Sequence, residues 1–376
     1  MPKSKNKFNI LHIVSRLPIG GVENMILQEI SGYDSNRFKA RVCCMKEGGE
    51  IAKALEAAGY TVNILNKMKG HGFDLGLIKA LYSIVKKGNI HILRTHQYHA
   101  NLYGRITGTL AGVPVIIPTF HNVYESPDKP KLHRRLFNSL LAISSDALIG
   151  VSESVASDIK KFDIVNPQKV KVIYNGIDLR KFRIAISKAE ARSLFGLPED
   201  SIIIGTIGRL TEQKGHRYLI EAAARLQGSC LVVAGDGPLM EDLTKISNIN
   251  KVNCIFTGHV SPQKVPFFLK SLDIFSFPSL WEGLPVALVE AMASGLPVVA
   301  TDISPHREVL GDAGIFVPPA NTPLLADVLN VLINNLSMRK SLGEKVLERA
   351  TLFSIESTVK SYETLFLDIL GKKGYL

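Results

Sequence analysis

The sequence predicts an α/β protein made of two doubly wound, mainly parallel Rossmann-like domains. Short apolar runs alternate with amphipathic helical segments along nearly the whole chain, the pattern of repeated βα units. Most runs end in turns carrying Gly, Asn or Pro, where the loops of an open parallel sheet place ligand-binding groups. At 376 residues the chain is also longer than a single core usually serves.

Composition narrows the class without naming a substrate. Hydrophobic residues make up 46% of the chain, with 30 Gly and 18 Pro, and no tandem repeat or low-complexity tract is visible. Cys43, Cys44, Cys230 and Cys254 lack metal-ligand spacing and lie in or beside strand-like runs, which reads as buried free thiols in a reducing compartment. The basic start, MPKSKNKFNILHIV, leads into an apolar run too short for a secretory signal or a membrane span. A cytoplasmic chain, peripheral at the inner face of the membrane, is the expectation. The whole excess charge of +11 falls in residues 1–180, so an anionic membrane surface is a candidate partner for that half. Nucleic acid is not expected, because neither aromatics interleaved on basic strands nor a recognition helix is visible.

The first domain is read over residues 1–180. Asn9 to Val14 forms a strand, the loop through Gly20 and Gly21 turns it, and a helix follows from about Val22 to Ser31. Strands are expected at Ala40–Met45, Tyr60–Leu65, Ile90–Arg94, Val113–Pro118, Ala147–Val151 and Val170–Tyr174. Helices lie between them near Ile51–Ala58, Leu75–Val85 and His99–Ala111. From Lys129 to Ile143 the chain reads KPKLHRRLFNSLLAI, an amphipathic helix with a basic start. It fits either an ordinary packed helix or one lying on an anionic bilayer face. Asn175-Gly176 is a strong turn signal.

The second domain is read over residues 181–354. Ile202 to Ile207 forms its first strand, and Gly208-Arg209 to Lys214-Gly215 leads into a helix. Arg209 offers a planar fork and Lys214 a mobile point charge, so the two can converge on a diphosphate. Leu231 to Ala234 ends in the compact turn Gly235-Asp236-Gly237-Pro238. Cys254 to Thr257 leads to Gly258, His259 and Val260.

The stretch PSLWEGLPVALVEAMASGLPVVATD, Pro278 to Asp302, organises the rest. A strand ends at Phe277, a loop carries Glu282 and Gly283, and a helix starts with Pro285 at its first position, where a missing N–H costs nothing. Free amides near Leu284 to Ala287 suit a phosphate, while Glu282 and Glu290 suit sugar hydroxyls. A ligand with phosphates in its middle and sugars at both ends would satisfy every group. Three further helices are expected near 322–335, 339–350 and 354–370, followed by a frayed tail. Singly, each of these residues also has a plain structural reading: a surface acid, a solvated loop cation or a satisfied core histidine.

Taken together, the motifs resemble those of the retaining, nucleotide-sugar-dependent glycosyltransferases of the GT4 type, which have the GT-B fold. The resemblance runs in order through most of the chain and rests on Glu282-x7-Glu290, Gly208-Arg209-x4-Lys214-Gly215, the Gly-x-Gly-Pro turn at 235–238 and Asn175-Gly176-Ile177-Asp178. It implies two domains facing across a cleft, with a final helix over residues 355–376 packing back on the first, acceptor-side domain. It implies further that Glu290 holds the nucleotide ribose, Glu282 and His121 contact the donor sugar, and Arg209, Lys214, Gly21, Gly283 and Leu284 surround the phosphates. Backbone groups at Gly258, His259 and Val260 would meet the base. His96 and His99 are acceptor-side candidates. The implied donor is a nucleoside-diphosphate sugar, with UDP favoured, and the implied acceptor is a glycan or polyprenyl-lipid-linked glycan in cell-surface polysaccharide assembly. No DxD pair offers a Mg²⁺ site, so no metal or other cofactor is expected. The rival readings are a nucleotide-sugar epimerase or phosphorylase on the same fold, and a non-catalytic binding protein.

Overall fold

A computed structural model of the chain describes residues 7–18, 21–67, 73–121 and 132–376. The chain divides into two compact units, residues 1–176 with 355–376, and residues 177–354.

The first unit holds a seven-stranded sheet. In chain order its strands are β1 (Phe8–Val14), β2 (Phe38–Cys44), β3 (Thr61–Ile64), β4 (Ile92–His96), β5 (Val115–Phe120), β6 (Leu148–Gly150) and β7 (Val170–Val172). They lie side by side as β3-β2-β1-β4-β5-β6-β7, with every neighbouring pair parallel. The second unit holds β8 (Ile202–Ile207), β9 (Ser229–Ala234), β10 (Cys254–Gly258), β11 (Ile274–Phe277), β12 (Val298–Thr301) and β13 (Ile315–Val317). Their order is β10-β9-β8-β11-β12-β13, again all parallel.

Both orders reverse direction once, between β1 and β4 and between β8 and β11. Neighbouring loops splay apart at such a switch point, which leaves a crevice at the carboxyl ends of the strands. The expected pair of Rossmann-like domains is therefore what the chain forms.

Strands covered on both faces are mostly apolar, as β8 is, whereas β1 holds buried His12 and β4 holds buried Arg94, Thr95 and His96. One side of the first sheet packs Ile10, Val14, Ile92, Val115 and Ile117 beneath Met25, Ile26 and Ile30 of the helix Gly21–Gly32. The same layer includes Tyr362, Phe366 and Leu370 of the last helix, Ile355–Lys372. That helix is part of the first unit's core, and Thr358 donates to the Tyr174 carbonyl at 2.9 Å. Leu77, Leu81 and Val85 cover the opposite face.

Several boundaries differ from the sequence reading. The tail is not frayed through its length: helix continues to Lys372, where Leu370 is fully buried. Beyond it, Lys373 pairs with Asp146 and donates to the Pro114 carbonyl at 2.6 Å. Pro285 caps the helix Val286–Ala293 instead of occupying its first turn, because its ψ of 86° is not helical. All four cysteines are free thiols; Cys43, Cys44 and Cys230 are buried and Cys254 is half-buried.

Candidate active site

In the second unit, the loop leaving β8 and the loop leaving β11 meet across the switch point. Gly215 ends a short 3-10 turn over Glu212–Lys214 in the left-handed conformation, at φ 61°. A Cβ there would stand 2.2 Å from the Pro278 carbonyl oxygen, so only glycine lets the two backbones approach this closely. Gln213 fastens the contact: its carbonyl accepts from Leu280 N at 2.7 Å and its side-chain amide donates to the Trp281 carbonyl at 2.9 Å.

This clamp brings Lys214 to Glu282. Their Nζ and Oε1 atoms lie 2.5 Å apart, with the side chains 19% and 7% exposed. The lysine stem passes over Gly208, where a Cβ would make ordinary contact with it at 3.5 Å, and Nζ lies 5.2 Å from the centre of the Phe277 ring. Arg209 does not join them: it is exposed and has no ion-pair partner among the described residues. Gly283 and Leu284 are buried behind Glu282.

Glu290 lies on the helix Val286–Ala293, one turn past the loop. It is half-buried, and burial pushes its carboxyl up to about 7. Leu288 and Val289 N–H groups already bond the Pro285 carbonyl, so the amides left for a ligand at this helix start are those of Val286 and Ala287. Gly258 ends β10 at φ 66°, with His259 exposed and Val260 half-buried beyond it. At the neighbouring loop, Gly235 takes φ 136°, and a Cβ would fall 1.9 Å from the Gly208 carbonyl oxygen. The glycines after β8 and β9 thus serve loop-to-loop packing.

His306 was not singled out by its sequence context. It is fully buried, lies against Phe277 with ring centres 5.2 Å apart, and its Nδ1 meets the Thr301 carbonyl oxygen at 2.8 Å. Burial lowers its pKa to about 4, while the negative charge of Glu282 acts in the opposite direction. Thr301 in turn donates to the Ser279 carbonyl, so β12 supports the loop that carries Glu282.

In the first unit the chemistry lies at the other switch point. Gly21 opens the helix Gly21–Gly32. Gly20, before it, lies outside the described residues. Glu23 is half-buried and accepts from Gln97 at 3.4 Å, and burial raises its pKa. Gln97 has a φ of 67°, a conformation uncommon for a residue with a side chain, directly after β4.

His121 follows β5 and is 8% exposed. Its Nε2 is 3.4 Å from His96 Nδ1, and its Nδ1 is 3.5 Å from Asn175 Nδ2. Burial, with the Arg94 charge, brings its pKa down to about 3, so the ring is neutral. His96 differs from the expectation of an acceptor-side residue. It is fully buried between His12 and His121, because position 96 on β4 points into the covered face that also holds Ile92 and Arg94. His99 remains at the surface, its ring edge against Tyr98.

The helix Leu132–Ala142 exposes a row of apolar side chains: Leu132, Leu136 and Leu140, continued by Ile143. Lys129 and Lys131 lie outside the described residues. The two arginines are engaged elsewhere, Arg134 over the Tyr98 ring at 4.7 Å and Arg135 donating to the Phe162 carbonyl at 2.5 Å. Among the described residues no helix is long and apolar enough to cross a membrane. None of their His, Cys, Asp and Glu side chains gather in a group of three or more that could hold a metal ion.

Two Rossmann-like units, with an acid–lysine pair at one switch point and a buried histidine at the other, define a nucleotide-sugar-handling enzyme of the GT-B class. Comparison with known proteins gives the family. Residues 19–181 match Glycosyltransferase Family 4 and residues 187–349 match Glycosyl transferases group 1. The chain is 31% identical to the UDP-Gal:alpha-D-GlcNAc-diphosphoundecaprenol alpha-1,3-galactosyltransferase of Escherichia coli, over 99% of this chain and 100% of that protein. It is 28% identical to the putative glycosyltransferase EpsF of Bacillus subtilis, over 78% and 79% of the two chains. A crystal structure of Anabaena HepE in complex with UDP and glucose superposes with a TM-score of 0.84 at 20% identity, over 95% of this chain and 99% of that one. The chain belongs to this glycosyltransferase family, whose activity is the transfer of a sugar from a nucleoside-diphosphate sugar to an acceptor.

Proposed function

We propose that the protein is a retaining, metal-independent glycosyltransferase that moves a hexose from a UDP-sugar to a hydroxyl of a lipid-diphosphate-linked glycan in cell-surface polysaccharide assembly. The observation that carries this reading is the Lys214–Glu282 pair at the second unit's switch point, with Glu290 one helical turn away. The donor class and acceptor class follow the Escherichia coli relative, which matches along its whole length.

In this reading the second unit binds the donor. Glu290 accepts from the ribose hydroxyls, the backbone at Gly258, His259 and Val260 meets the base, and Glu282 orients the sugar. As the anomeric C–O bond breaks, negative charge grows on the departing diphosphate. Lys214, Arg209, Gly21 and the N–H groups of Val286 and Ala287 are the groups that stabilise it, and preorganised donors of this kind lower a barrier most where charge develops. The acceptor oxygen bonds to the same face of the anomeric carbon, and its proton passes to the leaving diphosphate oxygen. A UDP-hexose is α-configured, so an α-linked product keeps that configuration. The first unit, with His121 at the sugar and His99 on the acceptor side, takes the acceptor.

The exposed row Leu132, Leu136, Leu140 and Ile143 favours an added element: the protein works at the inner face of the cytoplasmic membrane, where its acceptor is anchored. Arg134 is exposed and both arginines keep their charge, so attraction to anionic lipid adds to apolar insertion. Calorimetric titration with UDP in EDTA tests the donor reading. Binding by the wild type that is lost in Glu290→Ala supports it. Equal affinity in both proteins, or binding only when Mg²⁺ is supplied, overturns it.

A further inference from the structure

We propose that Glu29 is a positioning residue that acts through Tyr33, His12 and His96 to fix His121 as the neutral tautomer with a bare Nδ1. The inference rests on the reading of His121 as a donor-facing residue only for its consequence; the wire itself stands on the geometry below.

Six side chains form one line inside the first unit. Tyr33 OH contacts Glu29 Oε1 and lies 3.4 Å from His12 Nε2. His12 Nδ1 is 3.1 Å from His96 Nε2, and His96 Nδ1 is 3.4 Å from His121 Nε2. Asn175 Nδ2 closes the line at His121 Nδ1, 3.5 Å away. The rings meet edge to edge: the centroids of His12 and His96 are 5.3 Å apart with planes 11° apart, and those of His96 and His121 are 5.7 Å apart at 30°. Each centroid separation exceeds its N–N distance by about two ring radii, which places the facing nitrogens on the line joining the rings.

The direction of this line is set at its buried end. Arg94 donates to Glu29 Oε1 at 2.6 Å, and both side chains are 0% exposed. Arg94 is itself enclosed, 3.6 Å below the Tyr362 ring and donating to Thr119 at 3.0 Å. A buried carboxylate paired with a guanidinium is ionised and can only accept. Tyr33 must therefore spend its single proton on Glu29, and its oxygen acts only as an acceptor, toward His12 at 3.4 Å and Arg94 Nη1 at 3.5 Å. His12 then carries its proton on Nε2 and presents a bare Nδ1 to His96. The same assignment repeats at His96 and at His121. Each imidazole has one proton, since burial holds His12, His96 and His121 neutral. Reversing the line would leave the short Tyr33–Glu29 contact as two acceptors with no proton between them, and Arg94 Nη1, 3.5 Å from the Tyr33 oxygen, is too distant to replace it. Such an unmade contact costs more than a typical hydrogen bond contributes.

The consequence is one of specificity. The ring nitrogen of His121 that accepts is Nδ1, and its neighbour Asn175 Nδ2 lies at the long distance of 3.5 Å. A sugar hydroxyl that donates there replaces this long contact with a shorter one, an advantage that a sugar lacking that hydroxyl does not have.

The test is long-range ¹H–¹⁵N correlation NMR on the full chain labelled with ¹⁵N-histidine and free of donor, with signals assigned by single His→Gln variants. The expected result is an Nε2–H tautomer at His12, His96 and His121, and a mixed tautomer at His12 and His121 in Tyr33→Phe, which keeps the ring and removes the hydroxyl. An Nδ1–H tautomer at His121 in the wild type overturns the proposal. So does a His121 signal that Tyr33→Phe leaves unchanged. If Tyr33→Phe fails to fold, the wild-type tautomers decide alone. Because no donor is added, a failure here is separate from a failure of the donor reading, which UDP titration measures.

Discussion

Lys214 and Glu282 form a 2.5 Å ion pair that joins the loop after β8 to the loop after β11. Both groups are largely withdrawn from water, so each is the other's main compensation for lost hydration. Removing one partner strands the other, which costs more than the intact pair contributes. Lys214→Met is expected to lower stability by about 1–3 kcal/mol, the lower end of that range because the lysine is partly exposed. The double variant Lys214→Met/Glu282→Gln recovers most of this and still fails to transfer sugar. Thermal unfolding and a transfer assay on the same samples check both statements. A double variant no more stable than the single one contradicts the pairing argument.

Glu290 gives a pH dependence whose sign is fixed by its environment. Its carboxyl sits at about 7 in the fold against an ordinary 4.5, because burial disfavours its charge. The stabilising contribution of the neutral form is complete below the ordinary value and is lost as pH rises through about 7. Ribose hydroxyls are better held by the ionised form, so UDP binding should release a proton. Affinity for UDP should rise between about pH 5 and about pH 8, and the rise should vanish in Glu290→Gln. Calorimetry in buffers of different ionisation enthalpy measures the proton directly. Proton uptake on binding would be the wrong sign.

At Gly215 a side chain would meet both a left-handed backbone and the Pro278 carbonyl. Gly215→Ala is expected to cost roughly 2 kcal/mol or more and to weaken UDP binding along with it, since it parts the two loops that hold Lys214 to Glu282. Chemical denaturation reads the first effect and calorimetry the second. Gly59→Ala is the control: it has positive φ but open space around it, so it should cost less.

The helix Leu132–Ala142 predicts how the protein meets lipid. Leu136 and Leu140 are 53% and 63% exposed on the same face. Leu136→Glu/Leu140→Glu should bind phosphatidylglycerol vesicles roughly tenfold or more weakly than the wild type, and UDP binding should not change. Vesicle co-sedimentation measures the first and calorimetry the second. Equal sedimentation of both proteins would remove the membrane element from the proposed function.

Both sheets were legible in the sequence because buried parallel strands need continuous apolar runs, and these were broken by recognisable turns. The Lys214-to-Glu282 neighbourhood was legible in outline: spacing placed both residues after strands, and strand order then brought the loops together. Their direct pairing was not, since it depends on the approach of Gly215 to Pro278. Arg209 shows the limit in the other direction, because spacing suggested convergence with Lys214 while the loop leaves it exposed.

The histidine wire was hidden for a different reason. Ile10-x-His12-x-Val14, Ile92-x-Arg94-x-His96 and Ile117-x-Thr119-x-His121 each put polar residues at alternate positions of a covered strand face. That period was available as a signal, but linking the three strands needs the order β1-β4-β5. Its compensating groups come from remote segments: Glu29 and Tyr33 on and just after one helix, and Tyr362 from the far end of the chain.

The most direct test of the central claim is transfer itself. The purified full chain is incubated in EDTA with UDP-galactose and GlcNAc-diphosphoundecaprenol, and the anomeric configuration of any disaccharide formed is read by NMR. The proposed function predicts an α-linked product from the wild type and none from Glu282→Ala, with UDP still bound by that variant. A β-linked product, a strict requirement for Mg²⁺, or undiminished turnover by Glu282→Ala would contradict it.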